Sequence, residues 1–187
     1  MPRPPAPRIL LIIAALSLPI ALPVAAPCPA RAGDVRAALL RQDAFSAWAA
    51  GPNRERDWAL HLELGLDPVT TVLGGEIAPM LGLGWAPGAE VDTAHAGLTW
   101  TLSGEAAFLR LGIGGVIHDG RLDEPPGTTL RRRQFGSRVL FHVPAEVGLH
   151  LSPRTSIGLY YVHMSNADLA DPNVGMDSLG IRLGMRF

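Results

Sequence analysis

Three residues near the C-terminal end of the chain carry the side chains that acyl transfer requires. His163 and Ser165 are two residues apart, and Asp177 follows twelve residues after the serine. A serine hydroxyl acts as a nucleophile when an imidazole accepts its proton and a carboxylate orients the imidazole. These residue types therefore predict acyl transfer through a serine nucleophile, provided that the fold brings the three side chains together.

The alternation of residues around this set predicts that the three side chains share one face of a sheet. Successive side chains of a strand point to opposite faces, so His163 and Ser165 share the apolar face of Leu159 and Tyr161. Asp177 shares the apolar face of the next strand, at its start. Two antiparallel neighbours would bring the three groups to one height. The alternative is a set of rim polar residues without chemistry, because the rim of a membrane barrel tolerates polar groups.

The elements that must position these residues are predicted to be β-strands. From residue 57 onward the chain alternates with a period of two, which indicates half-buried strands. The alternation predicts strands near residues 58–66, 72–86, 93–102, 105–118, 135–150, 154–165 and 178–187. In the last segment one face is formed by Leu179, Ile181, Leu183, Met185 and Phe187, and the other by Ser178, Gly180, Arg182, Gly184 and Arg186.

This alternation fits a membrane barrel with an apolar outer wall, and it also fits a soluble periplasmic β-sandwich with an apolar core. The terminal Phe187 on a strand resembles the assembly signal of bacterial outer-membrane proteins and favours the barrel, with the barrel-assembly machinery as a partner. Single-chain bacterial barrels have an even number of strands. An eighth strand is therefore expected within residues 34–50, although Val35–Trp48 could also form a helix by pattern alone. The predicted fold class is all-β, an eight-stranded antiparallel transmembrane β-barrel.

The lengths of the connections predict the orientation of this barrel. Asp67-Pro68, Ser103-Gly104 and Ser152-Pro153 are predicted to be short periplasmic turns. Residues 119–134 and 166–176 are predicted to be the longer outer loops. A barrel of this size is filled by side chains and is not an open pore.

Composition and the N-terminal segment limit the class of protein. The formal net charge is −1, so no charge excess indicates nucleic acid, and no run of 18 apolar residues follows residue 35, which argues against helical membrane spans. Residues 1–32 resemble a secretory signal peptide that ends at an A-x-A site, which leaves residues 33–187 as the barrel domain. Cys28 is the only cysteine of the chain, so the mature protein is predicted to contain no thiol.

Several stretches resemble the family of lipid A 3-O-deacylases, also called PagL-type or acyloxyacyl hydrolases. They are His163-Met164-Ser165-Asn166-Ala167, Asn173-Val174-Gly175-Met176-Asp177-Ser178-Leu179-Gly180 and Gly184-Met185-Arg186-Phe187. The resemblance is best over residues 135–187 and implies an eight-stranded outer-membrane barrel that removes the ester-linked acyl chain at the 3-position of lipid A. It implies a triad of His163, Ser165 and Asp177, although the acid of the best-known members is glutamate.

The resemblance also implies a role for two asparagines. Asn166 and Asn173 match asparagine positions near the oxyanion hole of the family, where a side-chain amide stabilises the tetrahedral intermediate. Turn formation is the alternative role for both, because asparagine favours turns. Arg131, Arg132 and Arg133 lie in a predicted outer loop and are candidates for binding the phosphates of lipid A. The alternative for these arginines is a solvated run of charge.

The residues predict a serine esterase that needs no cofactor, and the resemblance implies the outer membrane of a Gram-negative bacterium as its location and lipid A or lipopolysaccharide as its substrate. No spacing of histidines or carboxylates matches a metal-binding template, so no metal is predicted. The alternative is a non-catalytic barrel of the same architecture that serves structure or lipid binding, and a homodimer is one candidate assembly.

Overall fold

The computed structural model describes residues 33–44, 47, 58–87, 91–123 and 133–187. The predicted signal peptide, residues 1–32, lies outside these described residues, as do Arg131 and Arg132. The described residues form nine strands and no helix long and apolar enough to span a membrane. The strands are β1 (Asp34–Arg41), β2 (Trp58–Gly65), β3 (Thr70–Val72), β4 (Gly75–Trp85), β5 (Thr93–Ser103), β6 (Ala107–His118), β7 (Val139–His150), β8 (Thr155–Ser165) and β9 (Met176–Arg186).

The strands close into a barrel in which each strand pairs antiparallel with its neighbours. β1 pairs with β9 on one side and with β2 on the other, and β2 pairs with β4 to complete the ring. The short β3 pairs with β4 immediately beyond the end of β2, with Thr70 opposite Ile77, so that β2 and β3 together occupy one position in the wall. The prediction of an eight-stranded antiparallel barrel is therefore confirmed.

β1 confirms the strand that parity demanded within residues 34–50 and excludes the helical alternative for its eight residues, Asp34–Arg41. The connections after β5 and β7 are short and contain Ser103-Gly104 and Ser152-Pro153, as predicted. Gly33 and Phe187 lie at this same end of the barrel: the Phe187 N–H donates a hydrogen bond to the Gly33 carbonyl at 3.1 Å, and the Arg186 N–H donates to the carbonyl of Arg154, next to Ser152-Pro153, at 2.8 Å. The long connections after β6 and β8 lie at the opposite end.

The predicted turn at Asp67-Pro68 is wrong, because the chain turns at Leu73-Gly74. Both of these residues have positive φ, 51° and 78°, which is the conformation that a two-residue hairpin turn requires. Asp67-Pro68 lies instead in the connection between β2 and β3, where pairing to β4 continues through the Leu66 N–H, which donates to the Pro79 carbonyl at 2.9 Å. Proline has no N–H to add to this ladder, so Pro68 marks an interruption of the strand and not the reversal of the chain.

One face of the strands is apolar and points outward, and this excludes the β-sandwich. Five of the large apolar residues on the outer wall are between 50 and 63% exposed: Leu39, Ile113, Val147, Leu159 and Ile181. In a sandwich the same faces would be buried between two sheets. In a bilayer they contact lipid, which is the arrangement of a membrane barrel.

The interior of the barrel is filled by two layers of different character. Near the long connections an apolar cluster includes Leu40, Phe135, Tyr160 and Met164. Farther toward Gly33 and Phe187 lies a set of paired charges that we call the lumen network, consisting of Arg36, Glu63, Arg110, Glu146 and Arg182. Its ion pairs are Arg36–Glu63 at 2.6 Å, Arg110–Glu146 at 2.6 Å, Arg182–Glu63 at 3.2 Å and Arg182–Glu146 at 3.4 Å.

Candidate active site

The register of β8 and β9 places the predicted triad in one row on the outer wall. His163 lies directly opposite Asp177, and Ser165 is the last residue of β8. The His163 Nδ1 lies 2.7 Å from Asp177 Oδ1, and its Nε2 lies 2.9 Å from Ser165 Oγ. A carboxylate only accepts hydrogen bonds, so Nδ1 carries the proton and Nε2 is left to accept the serine hydroxyl proton. The structure thus brings together the three residues in the order that an activated serine nucleophile needs.

Burial differs along this row in the way that acyl transfer requires. Asp177 is fully buried and His163 is 7% exposed, although both belong to the outward face of the wall. Ser165 is partly exposed at the strand end. The acid is thereby kept from water, while the nucleophile is accessible from outside the barrel.

Asp177 is held by two further donors that the sequence analysis did not identify. The Tyr161 hydroxyl donates to Oδ1 at 2.7 Å, and the backbone N–H of Ala47 donates to Oδ2 at 2.8 Å. In addition, the Ala44 N–H donates to the Asp177 backbone carbonyl at 3.0 Å. Tyr161 could have been found, because strand parity places it on the face of His163. Strand parity gives no indication that Ala44 and Ala47, which follow β1, contact Asp177.

The two asparagines organise the connection between β8 and β9. The Asn166 side chain is 2% exposed, and its Nδ2 donates to the carbonyls of Phe135, Ala170 and Pro172 at 2.8, 2.8 and 3.2 Å. Its two amide hydrogens are used by these bonds, so the structure corrects the predicted oxyanion role of Asn166 to a role in the loop. Asn173 accepts a hydrogen bond from the Asn166 N–H at 3.1 Å and donates one of its two amide hydrogens to Asp168 at 2.9 Å.

Arg133 lies inside the protein and does not face a membrane surface. It is 3% exposed, it donates to the carbonyls of Val174 and Gly175, and its Nη2 donates to Asp43. These contacts correct its predicted role as a ligand of substrate phosphate, because the guanidinium is already surrounded by acceptors of the protein. Among the described residues, no group of three or more histidine, cysteine or acidic side chains is arranged to hold a metal ion.

Comparison with known proteins finds one family over most of the chain. The family model described as lipid A 3-O-deacylase (PagL) matches residues 42–186, which include the whole triad. The lipid A deacylase PagL of Bordetella bronchiseptica is 31% identical over 88 residues, which are 47% of this chain and 44% of that protein. The chain therefore matches less than half the length of this curated relative.

Solved structures support the architecture. The crystal structure of the outer membrane enzyme PagL matches with a TM-score of 0.60 and 20% identity, over 82% of this chain and 99% of that one. The N-terminal β-barrel domain of Pseudomonas aeruginosa OprF matches with a TM-score of 0.54 and 10% identity, over 83% and 97% of the two chains. A de novo designed transmembrane β-barrel matches with a TM-score of 0.52 and 9% identity, over 83% and 95%. At these identities the likenesses show the fold alone, so the chemistry must be argued from the site.

Proposed function

This chain belongs to the lipid A 3-O-deacylase (PagL) family, and from that premise we propose that it is a serine esterase that removes an ester-linked acyl chain from lipid A. Its outward apolar wall and its family place it in the outer membrane of a Gram-negative bacterium. The observation that carries the proposal is the continuous row of hydrogen bonds from Ser165 through His163 to Asp177, at one rim of the lipid-facing wall.

In the proposed mechanism, Ser165 Oγ attacks the carbonyl carbon of the ester while His163 Nε2 takes the hydroxyl proton. Asp177 keeps the imidazole in the required tautomer and stabilises the imidazolium that forms. The tetrahedral intermediate then breaks its bond to the sugar oxygen, which leaves with the proton from His163. Water attacks the resulting acyl-serine with His163 as base, and this second half-reaction releases the fatty acid and restores Ser165.

Asn173 is the side chain we propose for the oxyanion hole. One amide hydrogen of Asn173 is used by Asp168, so the other is available for a developing oxyanion. Asn173 also lies two residues before Gly175, where an added Cβ would lie 3.4 Å from the Ser165 Cβ. An amide donor in this turn is therefore near the reacting centre.

The surroundings of Ser165 support a membrane lipid as the substrate. Phe141 lies directly opposite Ser165 on β7 and is 42% exposed on the outer wall, and Val139 beyond it is 60% exposed. A water-soluble ester would gain nothing from this apolar surface, whereas an acyl chain of a lipid would continue to contact apolar groups. The ester of a lipid in the outer leaflet would thus reach the nucleophile without leaving the membrane.

The test is the mass of lipid A in cells that have no deacylase of their own. Expression of this protein should remove one hydroxyacyl or acyl chain from lipid A, and Ser165→Ala should leave lipid A unchanged at equal amounts of folded barrel. Ser156→Ala, on the same strand at the opposite end of the barrel, is the matched control and should act as the wild type does. Unchanged lipid A with the wild-type protein would favour the alternative of a non-catalytic barrel.

A further inference from the structure

The connections around the triad contain a buried ion pair that takes no part in the proposed chemistry. Asp43, just after β1, is fully buried, and Arg133, just before β7, is 3% exposed. The Arg133 Nη2 donates a hydrogen bond to Asp43 Oδ1. Removing two charges from water costs several kcal/mol per ion, and good geometry only partly offsets that cost, so a pair of this kind is weak evidence for stability alone.

Arg133 also holds the turn that lies against the nucleophile and the base. Its Nη1 donates to the carbonyl of Val174 at 3.1 Å and to that of Gly175. Gly175 has a φ of +62°, and a Cβ added there would lie 3.4 Å from both His163 Cε1 and Ser165 Cβ. The turn is therefore in close contact with the two residues that exchange the proton, and a shift of the turn would displace them.

Two residues that follow Asp43 closely in the chain bond to the third member of the triad. The next residue, Ala44, donates its N–H to the Asp177 carbonyl at 3.0 Å, and Ala47 donates its N–H to the carboxylate at 2.8 Å. Asp43 itself has a φ of +54°, a conformation that residues other than glycine adopt at a cost. Tertiary contacts must hold it there, and its bond to Arg133 is one of them.

We infer that Asp43 and Arg133, which we call the clasp, are positioning residues for the proposed deacylation. The clasp joins the segment that orients the Asp177 carboxylate to the turn that contacts His163 and Ser165. It connects residues 90 positions apart in the chain, so that three separate connections meet at one ion pair. This inference rests on the proposed function and assigns to it two residues that lie outside the triad and the oxyanion hole.

Two substitutions test the clasp with little change of volume. Asp43→Asn removes the charge and keeps a residue that tolerates positive φ. Arg133→Lys keeps the charge and removes the planar fork that reaches the carboxylate and the carbonyls together. Because a misplacement of about 1 Å costs on the order of 10²-fold in rate, each variant should lower kcat by that order. KM should change little, since the lipid-facing wall is untouched.

The matched control is Glu146→Gln, which breaks a comparably buried pair with Arg110 in the lumen network. The barrels are refolded in detergent, checked for heat-modifiable migration, and assayed for kcat and KM on purified lipid A below the unfolding temperature of each variant. We expect Glu146→Gln to lower the unfolding temperature and keep kcat. We expect the double variant Asp43→Asn/Arg133→Lys to lose little more kcat than either single variant, because the pair acts as a unit.

The outcomes separate the clasp from the proposed function. If folded Arg133→Lys keeps kcat within about twofold of the Glu146→Gln control, the clasp is only structural and the inference is overturned. If Asp43→Asn does not fold, the kcat of Arg133→Lys alone tests the inference. If the wild-type protein itself releases no fatty acid, the proposed function is overturned, and so is the inference that the clasp positions the triad.

Discussion

β9 contributes to two polar clusters that face opposite ways through the same wall. On β9, Asp177 belongs to the outward row with His163 and Ser165, while Arg182 belongs to the lumen network. Both clusters are buried, and both contain short charged hydrogen bonds. They differ in how they end: the carboxylates of the lumen network are shared between arginines, whereas the outward row ends in the partly exposed hydroxyl of Ser165.

The difference separates polar groups that stabilise the barrel from polar groups that are arranged for the proposed chemistry. In the lumen network, Arg182 bonds to both Glu63 and Glu146, so opposite charges satisfy one another inside the protein. In the outward row, Asp177 receives donors from Tyr161 and Ala47, and the imidazole retains one acceptor for the serine proton. In the lumen network every charge has an opposite charge as its partner, which favours a role in stability. The outward row ends in an accessible hydroxyl, which favours the proposed reaction.

The largest effect is expected from substitutions at the reacting end of the outward row. Ser165→Ala and His163→Ala should each lower kcat on the order of 10⁴- to 10⁶-fold, because neither proton transfer nor attack is possible without the other group. The double variant should lose no more than the single variants. The measurement is release of fatty acid from lipid A in detergent. Losses that multiply in the double variant would mean that the two residues do not act as a unit.

The next effect concerns the acid of the row. Asp177→Asn should lower kcat on the order of 10⁴-fold, by analogy with the acid of a serine-protease triad. Asp177→Glu should also lower kcat, although glutamate is the acid that the resemblance implies for other members. Asp177 is fully buried and already bonded to three donors, so one more methylene would displace them at a cost of about 1–3 kcal/mol.

The control for Asp177→Glu is Asp171→Glu, at an exposed position in the connection between β8 and β9. This variant should keep the wild-type kcat, as measured in the same fatty-acid assay. An Asp177→Glu variant as active as the wild type would show that the neighbours of Asp177 adjust freely to the longer acid.

A smaller effect is expected where Tyr161 supports the acid. Tyr161→Phe removes the hydroxyl that donates to Asp177 Oδ1, and a hydrogen bond to a charged group is worth about 1.5–3 kcal/mol. Because His163 and Ala47 still hold the carboxylate, we expect a loss of kcat of only about tenfold. Tyr160→Phe is the control, since Tyr160 points into the barrel and packs on Arg182. Equal losses in the two variants would argue against a role for the Tyr161 hydroxyl.

The smallest effect on activity is expected from the lumen network. Arg182→Met leaves Glu63 and Glu146 without the guanidinium between them, and breaking a buried pair costs about 3–5 kcal/mol of stability. The free energy of unfolding, measured by urea titration in detergent micelles, should fall by that amount. The kcat of the folded fraction should stay at the wild-type value. A loss of kcat in fully folded Arg182→Met would contradict the separation of the two clusters.

Much of the barrel and the triad could be predicted because strand geometry is local. A period of two assigns every residue of a strand to a face, so Leu159, His163 and Ser165 were placed on the outer wall correctly. The same parity on the next strand placed Asp177 beside His163, since consecutive strands joined by one connection pair antiparallel. The turn between β3 and β4 is not predictable in the same way, because Asp67-Pro68 is a stronger turn signal than Leu73-Gly74.

The sequence by itself determined which side chains face the membrane, that a histidine and a serine lie in one row there, and that an acid lies near them. Only the tertiary structure decided what holds that row in place. Ala47 and Asp177 are 130 residues apart, and Asp43 and Arg133 are 90 residues apart, so no pattern of period two relates them. Their meeting depends on closure of the barrel, which places β1 next to β9 and brings the connections of distant strands to one rim.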